Sequence, residues 1–247
     1  MYDHEGVRLF EVDTLQLLQS LPDGSVDLVI TSPPYNLRNS TGGGLHHSGG
    51  KWENAALTAG YGTHDDNMPH SEYVAWQRQI LTEAMRTLSD KGAIFYNHKW
   101  RVQDGLLQDR ADIVDGFPVR QIIIWKRAGG LNFNDGYFLP TFEVIYLIAK
   151  PNFKLAPKAN AHGDVWEISQ DTNNPHPAPF PLALATRIVE SVPDNGGLVV
   201  DPFVGSGTSA VAARNAGRRF VGGDEVGEYL QMAVGRLAQG VLPLWEG

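Results

Sequence analysis

Two short segments of this 247-residue chain combine residue types that could do chemistry. The first is the apolar run Leu198-Val199-Val200, ending at Asp201 and followed by Pro202-Phe203-Val204-Gly205-Ser206-Gly207-Thr208 and a helical stretch. A strand, a glycine turn and a helix N-terminus together make a cofactor cradle, because glycine permits sharp backbone geometry and close approach of a ligand. A second strand-like run, Arg219–Gly223, ends in Asp224, 23 residues after Asp201. At that offset an acid meets the hydroxyls of a nucleotide ribose, from which a carboxylate accepts two hydrogen bonds. Three readings fit the glycines alone. Gly205-Ser206-Gly207-Thr208-Ser209-Ala210 matches the dinucleotide fingerprint G-x-G-x-x-A of NAD sites, S-adenosylmethionine fits equally, and so does a plain structural turn. Two features favour S-adenosylmethionine. Only 23 residues follow Asp224, so a second nucleotide-binding half is not expected after it. Asp201 would repel a pyrophosphate but suit a sulfonium or an ammonium.

The second segment is Val26-Asp27-Leu28-Val29-Ile30-Thr31 running into Ser32-Pro33-Pro34-Tyr35. Prolines fix φ, remove backbone donors and hold the preceding residue extended, so the turn is stiff and its carbonyls are free to accept. An exocyclic base amine is a poor nucleophile because its lone pair is delocalised into the ring. Hydrogen bonds from its two N–H groups to the Ser32 hydroxyl oxygen and the Pro33 carbonyl would draw the nitrogen toward tetrahedral geometry and aim the lone pair at a methyl donor. Tyr35 would stack on a base swung out of the duplex. Taken alone, Ser-Pro-Pro-Tyr is as easily an ordinary turn after a strand; its weight comes from sharing a chain with the cofactor cradle.

These segments need a scaffold that presents strand ends together. Short β-type runs occur at Arg8–Val12, Val26–Thr31, Ala93–Asn97, Gln121–Trp125, Glu143–Ala149, Leu198–Val200 and Phe220–Gly222. Helical patterns lie between several of them, at Tyr73–Leu88, Pro181–Ser191 and Thr208–Ala216. Strands alternating with helices predict an α/β fold with a mostly parallel sheet covered on both faces. The runs 121–125 and 143–149 have no helix between them and are expected to form an antiparallel edge ribbon. Residues 36–70, rich in glycine and histidine, and 149–181, rich in proline and asparagine, read as long surface connections.

Composition fits one large domain spanning 1–247: 42% of residues are hydrophobic, enough for a substantial core. No cysteine is present, which excludes disulfides, thiolate metal sites and cysteine nucleophiles. No apolar run approaches the ~20 residues that span a bilayer. The N-terminus lacks the basic start and apolar stretch of a signal peptide, so a cytoplasmic protein with no membrane association is expected. The net charge of −8 is unusual for a nucleic-acid partner, but residues 119–161 carry six basic residues against two acidic ones. A polarised chain can hold DNA on one face, and a few solvated lysines would give the same count. His46, His47, His64 and His70 with Asp65 and Asp66 follow no regular metal-ligand spacing, and no metal is expected. Lys99 and Arg101 follow a strand end, where they would either touch phosphate or stay solvated.

In this order the segments resemble the amino-DNA methyltransferases of the permuted β group, in which the catalytic motif precedes the cofactor motif. The likeness covers most of the chain. Ser32-Pro33-Pro34-Tyr35 is similar to the family's catalytic motif, Asp201 to Thr208 to its methionine-binding motif, and Phe220-Val-Gly-Gly-Asp-Glu225 to its ribose-binding strand. Asn174-Pro-His176-Pro177-Ala-Pro-Phe180-Pro181 resembles the segment before the cofactor strand, and Phe10-Glu-Val-Asp13 the adenine-side strand. The resemblance implies a circularly permuted Rossmann-like methyltransferase fold that binds S-adenosyl-L-methionine and acts on double-stranded DNA with base flipping. It places the catalytic role on Ser32, Pro33, Pro34 and Tyr35. Cofactor contacts would come from Asp13, Thr31, His176, Phe180, Asp201, Phe203, Gly205, Ser206, Gly207, Thr208 and Asp224.

Within that family, Ser before Pro-Pro is common in N4-cytosine enzymes and Asp is typical of N6-adenine ones. Phe180 leans the same way, since adenine members often carry lysine there. Cytosine N4 is therefore the expected target, with adenine N6 the alternative and RNA, protein or NAD chemistry more remote. Glu225 stands where the family usually has an apolar residue, so either acid could reach the ribose. A large target-recognition domain is absent between the ribbon and His176. Recognition would fall to residues 36–70, to the basic stretch or to a second subunit, which makes a homodimer and a short target sequence expectations of the resemblance.

Overall fold

The protein is described by a computed structural model covering residues 1–36, 68–103, 105–127, 135–170 and 180–239. Most of the 36–70 segment, including His46, His47 and His64, and the predicted cofactor residue His176 lie outside the described residues.

The chain opens with a hairpin, β1 (Tyr2–His4) and β2 (Val7–Glu11), followed by α1 (Thr14–Ser20). Asp13 caps α1 by accepting a hydrogen bond from the Gln16 amide at 2.9 Å. β3 (Val26–Thr31) leads to α2 (His70–Thr87), which buries Tyr73, Gln77, Ile80, Leu81 and Ala84 along one helical stripe. β4 (Leu88–His98), a small hairpin of β5 (Arg101–Gln103) and β6 (Leu106–Gln108), and the single turn α3 (Ala111–Val114) come next. Then follow β7 (Val119–Lys126), β8 (Phe142–Ala149) and β9 (Val165–Glu167). The chain continues through α4 (Leu182–Ser191), β10 (Leu198–Asp201), α5 (Thr208–Asn215), β11 (Arg219–Asp224) and α6 (Gly227–Gln239).

Nine of these strands form one sheet in the order β1-β2-β11-β10-β3-β4-β8-β7-β9. The central block β2-β11-β10-β3-β4 is parallel throughout, and β8 runs antiparallel to both of its neighbours. The fold is thus the mostly parallel sheet expected, and the ribbon read from 121–125 and 143–149 is β7–β8. That ribbon is not outermost, because β9 pairs parallel to β7 beyond it. Helices α4, α5 and α6 bury Leu184, Ile188, Ala212, Leu230 and Leu237 on one face of the sheet. On the other face lie Leu17, Leu18, Tyr73, Ile80 and Ile113 from α1, α2 and α3. Between them Leu28 and Ile30 point one way and Val26 and Val29 the other, which is why the central strands read as mostly apolar runs. Among the described residues no helix is long and apolar enough to cross a membrane.

The strand starts are held by a buried polar cluster. Asp27 accepts hydrogen bonds from the Ser89 hydroxyl (2.9 Å) and the Gly197 amide (3.0 Å), joining the entries of β3, β4 and β10. A Cβ at Gly197 would fall 2.1 Å from the Asp27 carboxyl carbon, so only glycine admits this carboxylate. Arg218, equally buried, lies 3.9 Å from Asp27 and 3.4 Å from Asp194, and donates to the Val192 carbonyl at 3.2 Å. Without Asp27, Arg218 keeps only the exposed Asp194 as a partner, and the Ser89 hydroxyl and Gly197 amide lose their acceptor. Asp27→Ala is expected to destabilise the protein by about 3–5 kcal/mol in denaturant unfolding. Cofactor affinity measured below the transition should be unchanged, because the cluster sits at the opposite end of the strands from the cradle.

Candidate functional site

In an open α/β sheet, ligands gather at the C-terminal ends of the parallel strands, where neighbouring connections depart to opposite faces. Here β10 and β3 are that pair. Val200 lies beside Val29, so the glycine turn and Ser-Pro-Pro-Tyr leave adjacent strands at one sheet edge.

The cradle is built from both ends of the turn after β10. Asp201, 7% exposed, accepts from the Phe203 amide (3.0 Å) and the Ser209 hydroxyl (2.5 Å). Asp224, at the end of β11, accepts from the Gly205 amide (3.0 Å) and the Val226 amide (2.9 Å), which stitches the turn to the next strand. Thr14 at the start of α1 donates its hydroxyl to the Pro202 carbonyl at 3.0 Å. From α6, Arg236 donates to the Ser206 carbonyl (2.9 Å) and the Thr208 hydroxyl (2.8 Å). Gly207 has φ +82°, and a Cβ there would lie 2.6 Å from the Ala233 Cβ, so α6 packs directly on the turn.

The electrostatics of the cradle call for a cation. Burial pushes the Asp201 carboxyl up to about 7, and burial likewise raises Asp224. Neither carboxylate has an ion-pair partner among the described residues. The Thr31 hydroxyl at the end of β3 is buried without a hydrogen-bond partner among the described residues. Two uncompensated acids and an orphan hydroxyl fit a cofactor carrying a sulfonium and an ammonium, and they oppose a pyrophosphate.

The other half of the site is a buried polar network. Ser32 Oγ and the Tyr35 hydroxyl are 2.7 Å apart, and Tyr35 donates to Glu143 Oε2 at 3.0 Å. Asn97 Nδ2 lies within reach of Tyr35 (2.6 Å), Glu143 Oε2 (2.9 Å) and Ser32 Oγ (3.3 Å). The Tyr35 ring, read from the sequence as a stacking surface for a displaced base, is 6% exposed and stacks on His98 with centroids 4.8 Å apart. Tyr73 on α2 donates to the Pro34 carbonyl (2.8 Å) and sits 2.7 Å from His98 Nε2. Burial, with the Arg110 charge adding to it, lowers His98 to about 3, so the imidazole is neutral near pH 7. Arg110 is itself fully buried over the Tyr73 ring, and its guanidinium has no hydrogen-bond partner among the described residues.

The structure brings Asp13, Thr31, Ser32, Pro33, Pro34, Tyr35, Asp201, Phe203, Gly205, Ser206, Gly207, Thr208 and Asp224 to the ends of neighbouring strands β2, β11, β10 and β3. Phe203 packs edge-on against Trp76 of α2 at 5.8 Å. Phe180 stands apart, with its ring against Trp125 on β7, and β3, β4 and β8 lie between that strand and β10. Arg101 is buried and donates to the Asn36 carbonyl at 2.5 Å, fastening the catalytic turn. Burial, then the neighbouring Arg127, lowers the proton affinity of Lys99. Sequence reading missed Asn97, Glu143, Tyr73, His98 and Arg236. Asn97 and His98 did leave a signal, as polar residues ending an apolar strand at the ligand-binding edge.

Comparison with known proteins agrees with this geometry. The N6/N4 family model described as DNA methylase matches residues 26–235. Type II methyltransferase M.HpaI of Haemophilus parainfluenzae is 30% identical over 93% of this chain and 74% of its own. Type II methyltransferase M.BglII of Bacillus subtilis is 28% identical over 92% of this chain and 67% of its own. Among solved structures, a DNA modification methylase of Thermus thermophilus, complexed with S-adenosyl-L-methionine, superposes with a TM-score of 0.70 at 26% identity, covering 96% of both chains. The cytosine-N4-specific PvuII DNA methyltransferase shares the fold, with a TM-score of 0.73 at 19% identity over 96% of this chain and 90% of that one.

Gly207→Ala must resolve a backbone-level clash with α6 at a positive φ. It is expected to lower stability by about 1–3 kcal/mol in denaturant unfolding. Cofactor affinity by calorimetry should fall with it, whereas Gly235→Ala, whose Cβ meets open space, should leave both unchanged.

Proposed function

Because the chain belongs to the N6/N4 DNA methylase family, we propose that it methylates the exocyclic N4 amine of a cytosine turned out of double-stranded DNA. The enzyme is an S-adenosyl-L-methionine-dependent DNA methyltransferase; the base, the flipping and the residue roles are our reading. The observation that carries it is Ser32 Oγ, held at the end of β3 by Tyr35 and Asn97 beside the strand that ends in the cofactor turn. Ser rather than Asp before Pro-Pro, and Phe180 rather than lysine, support cytosine over adenine.

S-adenosyl-L-methionine supplies an electrophilic methyl group on a sulfonium. This chain supplies the rest. Asp201 and Asp224 provide negative potential for the cofactor's cationic end and ribose, and the turn from Gly205 to Thr208 lets it approach the backbone. Thr31 at the end of β3 and Phe203 after β10 would flank the cofactor, and Asp13 would hold its adenine side. Ser32 and the Pro33 carbonyl accept the two N–H groups of the amine, while Tyr73 fixes the following peptide by holding the Pro34 carbonyl. Prealigned acceptors of this kind lower the barrier without reorganising during the reaction. We read residues 1–247 as one catalytic domain of a cytoplasmic restriction-modification enzyme. DNA recognition would be assigned to residues 36–70, the basic stretch 119–161, or a second subunit of a homodimer.

The test is to incubate the protein with mixed-sequence DNA and labelled S-adenosyl-L-methionine, then identify labelled nucleosides by mass spectrometry. N4-methylcytosine is expected; N6-methyladenine would overturn the choice of base, and label in neither would overturn the reading. Ser32→Ala should lower the rate about 10²-fold or more.

Cofactor affinity should also depend on pH. Asp201, raised to about 7, is protonated below that value and ionised above it. A cationic ligand binds the ionised form preferentially, so affinity should climb from about pH 6 to about pH 8 and release a proton on binding. Asp201→Asn should bind more weakly and lose this dependence in calorimetry.

A further inference from the structure

Glu143 belongs to no motif, yet its carboxylate is the terminus toward which the catalytic network points. It is buried near the start of β8, reaches Tyr35 across 108 residues of sequence, and faces Arg127 Nε at 3.6 Å through its other oxygen. The protons of the network can be assigned one by one. A carboxylate only accepts, so the single Tyr35 proton goes to Glu143 Oε2. The Asn97 amide must present Nδ2 to the same oxygen, because the reverse orientation would set two acceptors against each other. Tyr35, having given its proton, is an acceptor toward both Asn97 and Ser32. Across the 2.7 Å contact it is therefore Ser32 that donates. The Ser32 proton is committed inward; Asn97 Nδ2 makes only a long 3.3 Å approach to its oxygen, which leaves Ser32 acceptor capacity for a ligand.

This direction matters for an amine substrate. A serine hydroxyl free to rotate would offer its proton to the amine lone pair, the electrons that must attack the methyl group. Anchored through Tyr35, it can only receive an N–H. Resting on the reading of Ser32 given above, we propose that Glu143 is the positioning residue that makes Ser32 an obligate acceptor and then takes up the proton the amine must lose. When the nitrogen–methyl bond has formed, the nitrogen carries a positive charge. One of its protons passes to Ser32 Oγ as the Ser32 proton moves to Tyr35 and the Tyr35 proton to Glu143 Oε2. The cationic amine and the carboxylate become a neutral amine and a neutral carboxylic acid, and no other reactant is needed.

The experiment compares Glu143→Gln, Tyr35→Phe, the double variant and Ser32→Ala in single-turnover methylation at saturating cofactor and DNA. Cofactor and DNA affinities and unfolding midpoints are measured alongside. Glu143→Gln keeps the size and an acceptor oxygen but not the base; Tyr35→Phe cuts the chain. Each is expected to slow methylation about 10²-fold with both affinities unchanged, and the double variant to be no slower than Tyr35→Phe alone. Wild-type rates in Glu143→Gln, multiplicative losses in the double variant, or losses that track a lowered unfolding midpoint or cofactor affinity would each overturn the proposal. A wild-type rate in Ser32→Ala would instead overturn the reading of Ser32 on which it rests.

Discussion

The structure depends above all on the parallel pairing of β3 with β10. The two strands are neighbours although some 170 residues separate them, with Val199 beside Leu28 and Val200 beside Val29. One ends in the cofactor turn and the other in the catalytic turn, so their shared register decides whether an amine held at one can meet a methyl group held at the other. A one-residue slip would also exchange the two faces of β3, turning Leu28 and Ile30 toward the helices that now receive Val26 and Val29. Apolar burial on both faces thus fixes the alignment that chemistry requires.

The two ends of this strand pair are treated in opposite ways. At the starts, Asp27 is paired with Arg218 and hydrogen-bonded to Ser89 and Gly197, so its charge is compensated within the protein. At the C-terminal ends Asp201, buried, and Asp224, partly buried, accept backbone and hydroxyl hydrogen bonds but have no ion-pair partner among the described residues, and desolvation raises both. The first arrangement stabilises the fold by itself. The second would be compensated by a cationic ligand, which is how a binding site differs from a structural ion pair even when both use aspartate.

What was legible in the sequence was what is contiguous in it. Val26–Thr31 and Leu198–Val200 stood out as apolar runs because both faces are buried, and Ser32-Pro33-Pro34-Tyr35 and Asp201–Thr208 follow them directly. The three-residue strands β1, β5, β6 and β9 carry too few residues to show a period. Glu143 left no signal, and Asn97 only that of a polar residue ending an apolar strand, for another reason. They meet Tyr35 only because β4 and β8 pair antiparallel with Asn97 opposite Ile145, a register that no local pattern encodes. Asp201 was legible as an acid at a strand tip, but its hydrogen bonds with Ser209 and Phe203, which leave it largely enclosed, were not.

The contact of α6 with the glycine turn carries a consequence for how much chain the cofactor site needs. Every residue that the sequence assigns to the cofactor lies at or before Asp224, which suggests that a shortened protein ending there would be sufficient. It would lack Ala233, whose methyl group lies where a Gly207 side chain would be, and Arg236, which holds the Ser206 carbonyl and the Thr208 hydroxyl. The minimal binding unit therefore extends through a helix that contributes no recognised motif. Position 207 is thus held to glycine twice over, by its positive φ and by a methyl group 26 residues later in the chain.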